Sequence, residues 1–242
     1  MQVRLISKTI GFPGTEFENK SIDEIIVGIA RISSSREINE LFDEPYKLIR
    51  HCITRSEWSI FDMCNLTFEV ITSRAIARQL LRHSSIKPQE FSQRYAEVHT
   101  FEPVELREQC KSNRQSSTTI ILGDINEQVD DYLHSANALY SFLINSGTAK
   151  ETARFLLPEA TQTKLILNGR IREWITTLNQ RLHKSSQKEM RQVAEQIKDI
   201  FIEQCPVISQ ALFNFEHAYE IPILDRVILE KYKVFDQVFK YY

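Results

Sequence analysis

Residues 82–95 read RHSSIKPQEFSQRY and crowd Arg82, His83, Glu90, Ser92 and Arg94 into one short segment. Two guanidinium groups, an imidazole, a carboxylate and a hydroxyl are what a protein uses to hold an anionic ligand that carries a hydrogen-bonding ring. A helix running from Ser73 to His83 would set Gln79, Arg82 and His83 at i, i+3 and i+4, on one face of its C-terminal end. An extended run over 89–95 would turn Glu90, Ser92 and Arg94 to the same side. A solvated helix end followed by a polar surface loop accounts for the same residues, and spacing alone does not choose.

Three further arginines, Arg154, Arg172 and Arg181, fall on later helical stretches among Phe155, Leu156, Leu157, Trp174 and Leu178. Arginines beside apolar faces commonly snorkel. Gathered with Arg82 and Arg94 they would instead line an arginine-rich pocket, where each charge-assisted hydrogen bond contributes about 1.5–3 kcal/mol.

Other chemistries lack their residues. There is no GxGxxG, GxxxxGK[ST] or GxSxG, so no standard glycine-rich loop cradles a dinucleotide or a triphosphate. Cys52, Cys64, Cys110 and Cys205 are far apart in sequence, form no CxxC and stand at no zinc spacing to histidine; reduced thiols and no metal site are expected. His51 and Cys52 are adjacent, and neighbours on a helix point apart, so that pair is incidental.

The 242 residues carry a net charge of −2, with 42% hydrophobic and 26% charged side chains, which suits a single globular domain spanning 1–242. The basic residues are spread out, so the electrostatic footprint of a nucleic-acid binder is missing. MQVRLISKTI at the start alternates like a strand and no apolar run approaches a bilayer's thickness. A cytoplasmic protein with no nucleic-acid or membrane partner is expected.

The elements that must position these residues follow from periodicity. QVRLISKTI (2–10) reads as a half-buried strand ending at Gly11, Pro13 and Gly14. SIDEIIVGIARI opens a helix with Ser21 and Glu24 at capping-box spacing. Further helical spacing covers Ile38 to Thr54, NLTFEVIT (65–72) is a strand, and SRAIARQLLRH (73–83) a helix capped by Ser73, after which Pro88 resists helix. The polar stretch from Pro103 to Thr119 reads as an exposed loop. Asp124 to Asn145 spaces Ile125, Val129, Tyr132, Leu133, Ala136, Leu139, Tyr140 and Leu143 as one long amphipathic helix, and no Lys or Arg occurs from Ser116 to Ala149. KETARFLLP is a short helix stopped by Pro158, TKLILNG (163–169) a strand, RIREWITTLNQRL (170–182) a helix with Trp174 and Leu178 on one face, and 187–205 a last long helix. Helices outnumber strands, and an α/β or α+β domain is expected.

At Arg82-His83-Ser84, seven residues, then Ser92, with Glu90 before it and Arg94-Tyr95 after, the chain resembles the flavin-dependent thymidylate synthases, whose motif is Arg-His-Arg, seven residues, Ser. SIFDMCNLTFEVITSRAIARQLLRH (59–83), ARFLLP (153–158) and REWITTLNQRLHKSSQKEMR (172–191) extend the likeness over roughly residues 50–210.

The resemblance implies an α+β fold, an antiparallel sheet flanked by helices, and a methyltransferase that makes dTMP from dUMP. Methylenetetrahydrofolate would supply the carbon and NADPH the reducing equivalents, through FAD. It also implies a homotetramer with active sites between chains, and no nucleophilic cysteine.

Carried onto this sequence, Gln79, Leu80, Leu81, Arg82, Glu90, Phe91, Ser92, Gln93, Arg94, Arg154 and Arg181 would contact dUMP. Arg181 would be catalytic, stabilising negative charge at the pyrimidine carbonyl and N3. Ser59, Arg82, His83, Ser84, Glu90, Arg170, Arg172 and Thr176 would line FAD. Ser84 departs from the family's second arginine, Met63 from a histidine, Gln89 and Arg170 from asparagines and Ser185 from a common histidine. Arg170 would then restore the flavin-side charge that Ser84 removes. The altered triplet keeps two other readings open: a sister enzyme that methylates or hydroxymethylates UMP or dCMP, and a degenerate binding protein on the same fold.

Overall fold

A computed structural model describes residues 1–33 and 40–213. Four antiparallel strands, β1 (Gln2–Lys8), β2 (Asn65–Ser73), β6 (Gln162–Arg170) and β3 (Lys87–Glu90), pair in the order β1-β2-β6-β3. Helices pack on this sheet, so the expected α+β class is the one observed. Pro88 sits in β3 at the sheet's edge, where a missing N–H breaks no inner ladder.

The remaining helices are α1 (Ile22–Arg31), α2 (Pro45–Thr54), α3 (Arg74–Leu80), α4 (Asp124–Asn145), α5 (Lys150–Ala153), α6 (Ile171–Arg181), α7 (Lys188–Gln204) and α8 (Pro206–Phe213). The Ser21 hydroxyl accepts from the Glu24 N–H and the Glu24 carboxylate from the Ser21 N–H, the capping box read from sequence. Ser73 caps α3 by accepting from the Ile76 N–H.

Four expectations change. Of the helix expected over 38–54, Ile38 and Asn39 lie outside the described residues, and α2 begins only at Pro45. Glu44 before it takes a left-handed φ of 41°, an uncommon conformation for a residue other than glycine. The helix from Ser73 ends at Leu80, and Arg82 and His83 lie in the turn beyond it. Residues 89–95 are not extended throughout: β3 ends at Glu90, and the chain turns at Ser92, whose carbonyl accepts from the N–H groups of Tyr95 and Ala96. The polar stretch 103–119 carries a hairpin of β4 (Arg107–Gln109) and β5 (Ser117–Ile120). Arg107 of that hairpin bonds Glu189 at 2.6 Å, and Lys188 bonds Glu105 at 2.8 Å, so ion pairs to the first turn of α7 anchor a segment that has no apolar pattern.

One register decides where the site forms. β2 and β6 pair over nine residues, from Asn65↔Arg170 to Ser73↔Gln162, and each strand runs directly into a helix. The two helices therefore start at opposite ends of the strand pair and run back over the same face toward each other. Nine strand residues span roughly 30 Å. The seven residues of α3 and eleven of α6 add to about 27 Å. The C-terminal ends of α3 and α6 consequently meet near the middle of the sheet.

Phe68 of β2 and Trp174 of α6 pack edge to face at 4.7 Å, and the Trp174 indole N–H donates to the Leu66 carbonyl at 3.0 Å. Trp174 lies over Gly169 of β6, where a Cβ would come within 3.0 Å of its ring nitrogen. Met190, Val193, Ala194, Ile197 and Phe201 of α7 close the core at helical spacing. Asp23 of α1, fully buried, accepts from the Val207 and Ile208 N–H groups at 3.0 and 3.1 Å and so caps α8.

Candidate active site

Where α3 and α6 meet, the Arg181 Nε donates to His83 Nε2 at 2.8 Å and its Nη2 to the Gln79 carbonyl at 2.9 Å. The Gln79 carbonyl belongs to the last turn of α3, where carbonyls lack helical partners and a cation is favoured. The Gln79 side chain donates to Gln187 at the N-terminus of α7, 2.7 Å away. Burial, then the charges of Arg181 and Arg82, push the His83 imidazole down to about 4. Burial first, and Arg82 second, lower Arg181 as well. At neutral pH His83 is thus an uncharged ring whose Nε2 accepts, which requires its proton on Nδ1.

A second group forms around the end of β3. Glu90 accepts from Thr163 of β6 at 2.9 Å and from Arg74 of α3 at 3.3 Å. The Phe91 N–H donates to the Lys164 carbonyl at 2.8 Å, and Leu80, expected as a nucleotide contact, has its side chain buried in the core. Ser92 Oγ accepts from the Arg94 N–H at 3.3 Å, and Gln93 is buried with its side-chain nitrogen unpaired. Glu151 brings two distant arginines together: Arg94 pairs with its carboxylate at 3.5 Å, and Arg154 Nε donates to its backbone carbonyl at 3.3 Å.

A third group lies at the start of α6. Asp62 pairs with Arg172 at 3.4 Å and with Arg170 at 3.6 Å, and its Oδ1 is buried without a hydrogen bond. Arg170 is the residue before α6 and bonds the Glu173 carboxylate through its Nε at 2.8 Å and through its Nη2. Its charge is therefore largely spent on Glu173. Ser59 is exposed in the one-turn helix Trp58–Asp62, and Ser84 is exposed beside His83. Thr176 is exposed and donates to the Arg172 carbonyl at 3.0 Å.

Within one chain the five arginines thus divide: Arg82 and Arg181 at His83, Arg94 and Arg154 at Glu151, Arg172 at Asp62. Sequence reading did not find Glu151, Thr163, Thr177 or Glu173 among the site's partners. Thr177 carries a signal in its i, i+4 spacing to Arg181 on α6, and Glu173 in its i, i+3 spacing to Arg170.

A family model described as thymidylate synthase complementing protein matches residues 17–207, which contain all three groups. The chain is 37% identical over 220 residues to the flavin-dependent thymidylate synthase of Synechocystis sp., covering 88% of this chain and 99% of that one. The chain belongs to the flavin-dependent thymidylate synthase family. A probable flavin-dependent thymidylate synthase of Paramecium bursaria Chlorella virus 1 is 39% identical over 219 residues, with 88% and 99% covered. The same fold occurs in a solved UMP/dUMP methylase, PolB of Streptomyces cacaoi, bound with 5-Br UMP, at a TM-score of 0.71 and 25% identity over 87% of this chain and 92% of that one. For a flavin-dependent thymidylate synthase relative, the Ser84 position beside His83 leaves only one arginine, Arg82, at the head of the motif.

Proposed function

We propose that this protein methylates C5 of dUMP to give dTMP, with methylenetetrahydrofolate as carbon donor, FAD as resident flavin and NADPH as reductant. The observation that carries the reading is Arg181. A guanidinium has five N–H donors. Two are taken by His83 and the Gln79 carbonyl, which fixes its plane and leaves the other three for a ligand. Activating C5 for bond formation to carbon places negative charge on the pyrimidine N3 and carbonyls, and fixed cationic donors stabilise that charge most where water is excluded. His83, kept neutral, orients the guanidinium without competing for the substrate's charge.

A cysteine nucleophile is not needed, and the chain is poorly equipped with one. Cys52, Cys64 and Cys205 are buried, and burial pushes the Cys64 thiol up to about 12. Cys110 lies in the hairpin, bonded to Ser112 at 3.4 Å. Arg94 and Arg154 supply paired cations for the nucleotide phosphate, with Ser92 and Gln93 beside them.

The residues at the start of α6 suit FAD. Arg172 is half-exposed with donors beyond its Asp62 contact, Asp62 Oδ1 is buried with no hydrogen bond and only the Arg170 guanidinium at 3.6 Å, and Arg82, in the turn after α3, makes no ion pair among the described residues. These match the phosphates and hydroxyls of a dinucleotide. When bound, the reduced flavin supplies the hydride that converts a methylene into a methyl group.

The division of the arginines into separate groups, and α4's exposed Ile125, Tyr132, Leu139 and Phe142, support a homotetramer whose sites are completed between chains. One contiguous core running from Ile22 to Leu212 supports a single domain. A second reading, methylation of UMP, is favoured by the PolB neighbour bound with 5-Br UMP.

Product analysis with dUMP, UMP or dCMP, plus methylenetetrahydrofolate, FAD and NADPH, tests both. The expected result is dTMP from dUMP and complementation of a thymidine-requiring strain. A methylated product from UMP alone favours the second reading, and flavin-bound protein that turns over none of the three overturns both. Sedimentation at a monomer's mass would overturn the assembly.

A further inference from the structure

Two threonines follow one another on α6, an unfavourable choice for a helix because β-branched side chains lose rotamer freedom there. They are used differently. Thr176 is exposed and its hydroxyl bonds back to the carbonyl four residues earlier, Arg172, as helical threonines commonly do. Thr177 is 2% exposed, and its hydroxyl lies 3.4 Å from His83 Nδ1.

His83 is held from both sides. Arg181 Nε is always a donor and faces Nε2 at 2.8 Å, so Nε2 must accept. The ring proton then belongs on Nδ1, where Thr177 Oγ1 is the acceptor within reach. With the other tautomer, two N–H groups would face each other at the Arg181 contact. Thr177 and Arg181 stand one turn apart on the same helix, so both ring nitrogens are read by a single rigid element.

We propose that Thr177 is a positioning residue: by accepting the His83 Nδ1 proton it selects the tautomer whose Nε2 anchors Arg181, and so sets the plane of the guanidinium fork. This assignment rests on the reading of Arg181 as the pyrimidine-facing group. The effect is indirect, because Thr177 is buried and touches His83 rather than a ligand. It does not depend on the flavin.

Long-range proton–nitrogen spectra of 15N-histidine-labelled full-length protein report the tautomer directly. The wild type should show His83 protonated on Nδ1, Thr177→Val a mixture of the two tautomers, and Thr177→Ser the wild-type pattern. In turnover with dUMP, Thr177→Val should lower kcat about tenfold with KM changed less than threefold, and Thr177→Ser should recover most of it. A wild-type ring protonated on Nε2, or a Thr177→Val protein that keeps the Nδ1 tautomer, overturns the proposal. If the tautomers behave as stated but no pyrimidine nucleotide is turned over, the positioning role stands and the functional reading falls. Should the valine variant fold poorly, the wild-type spectrum keeps the test decisive, because a ring protonated on Nε2 overturns the proposal without any variant.

Discussion

Replacing Arg181 with lysine keeps the positive charge and removes the fork. Arg181 uses Nε on His83 at 2.8 Å and Nη2 on the Gln79 carbonyl at 2.9 Å, and a single ammonium cannot occupy both positions. Each charge-assisted hydrogen bond contributes about 1.5–3 kcal/mol. Arg181 is only partly buried, so water replaces part of what is lost, and a stability decrease of about 1–2 kcal/mol is expected. The larger effect falls on catalysis. Loss of fixed donors aimed at developing negative charge costs about 2.7–4 kcal/mol, or 100- to 1000-fold in kcat. The assay is the initial rate of dTMP formation as dUMP is varied at saturating folate, FAD and NADPH, with thermal unfolding followed alongside. Folded Arg181→Lys protein that retains kcat within about threefold would refute the argument, because charge alone would then suffice and the His83 and Gln79 anchors would be irrelevant.

Glu151→Gln removes the carboxylate that occupies Arg94 in an exposed pair at 3.5 Å. Such pairs contribute under about 1 kcal/mol, so calorimetry should show dUMP binding up to about fivefold tighter, and weaker binding would remove Arg94 from the phosphate contacts. Gly169→Ala would bring a Cβ to 3.0 Å from Trp174 Nε1 and 3.3 Å from Ile86 Cγ1. Overpacking of that kind costs about 1–3 kcal/mol, read as a lowered urea midpoint with an unchanged slope. Burial pushes Asp23 up from 3.8 to about 6 despite the N–H groups of Val207 and Ile208. Because its folded value lies above its unfolded one, its contribution is complete below pH 4 and is lost as pH rises through 6, a change of about 3 kcal/mol. Denaturant titrations from pH 4 to pH 7 should show that slope in the wild type and not in Asp23→Asn; an equal slope in both would place the titration elsewhere.

Much of the fold was legible because it is locally encoded. The Ser21–Glu24 capping box, the Ser73 cap and the alternation of β1 each express a preference that a few neighbouring residues satisfy among themselves. The end of α3 was misjudged for the converse reason. ARQLLRH has good helical spacing as far as His83, yet the helix stops at Leu80, where the Gln79 carbonyl is committed to Arg181, a residue 102 positions away. The β4–β5 hairpin has no apolar alternation and is held by Glu105, Arg107, Lys188 and Glu189, partners from two distant segments.

The same division runs through the site. Residue types and spacing between Arg82 and Tyr95 left a site and a polar loop equally open, and the family became legible only through its resemblance, extended by the segments at 59–83, 153–158 and 172–191. What the sequence could not contain is the partnership of His83 with Arg181 and Thr177, or of Arg94 with Glu151, whereas the Arg170–Glu173 contact is local, three residues apart at the start of α6. The His83 partnerships follow from the register of β2 on β6, which aims α3 and α6 at each other across one sheet face. Periodicity reports which face of an element is buried, whereas pairing between strands about a hundred residues apart is set by the packing of the whole core.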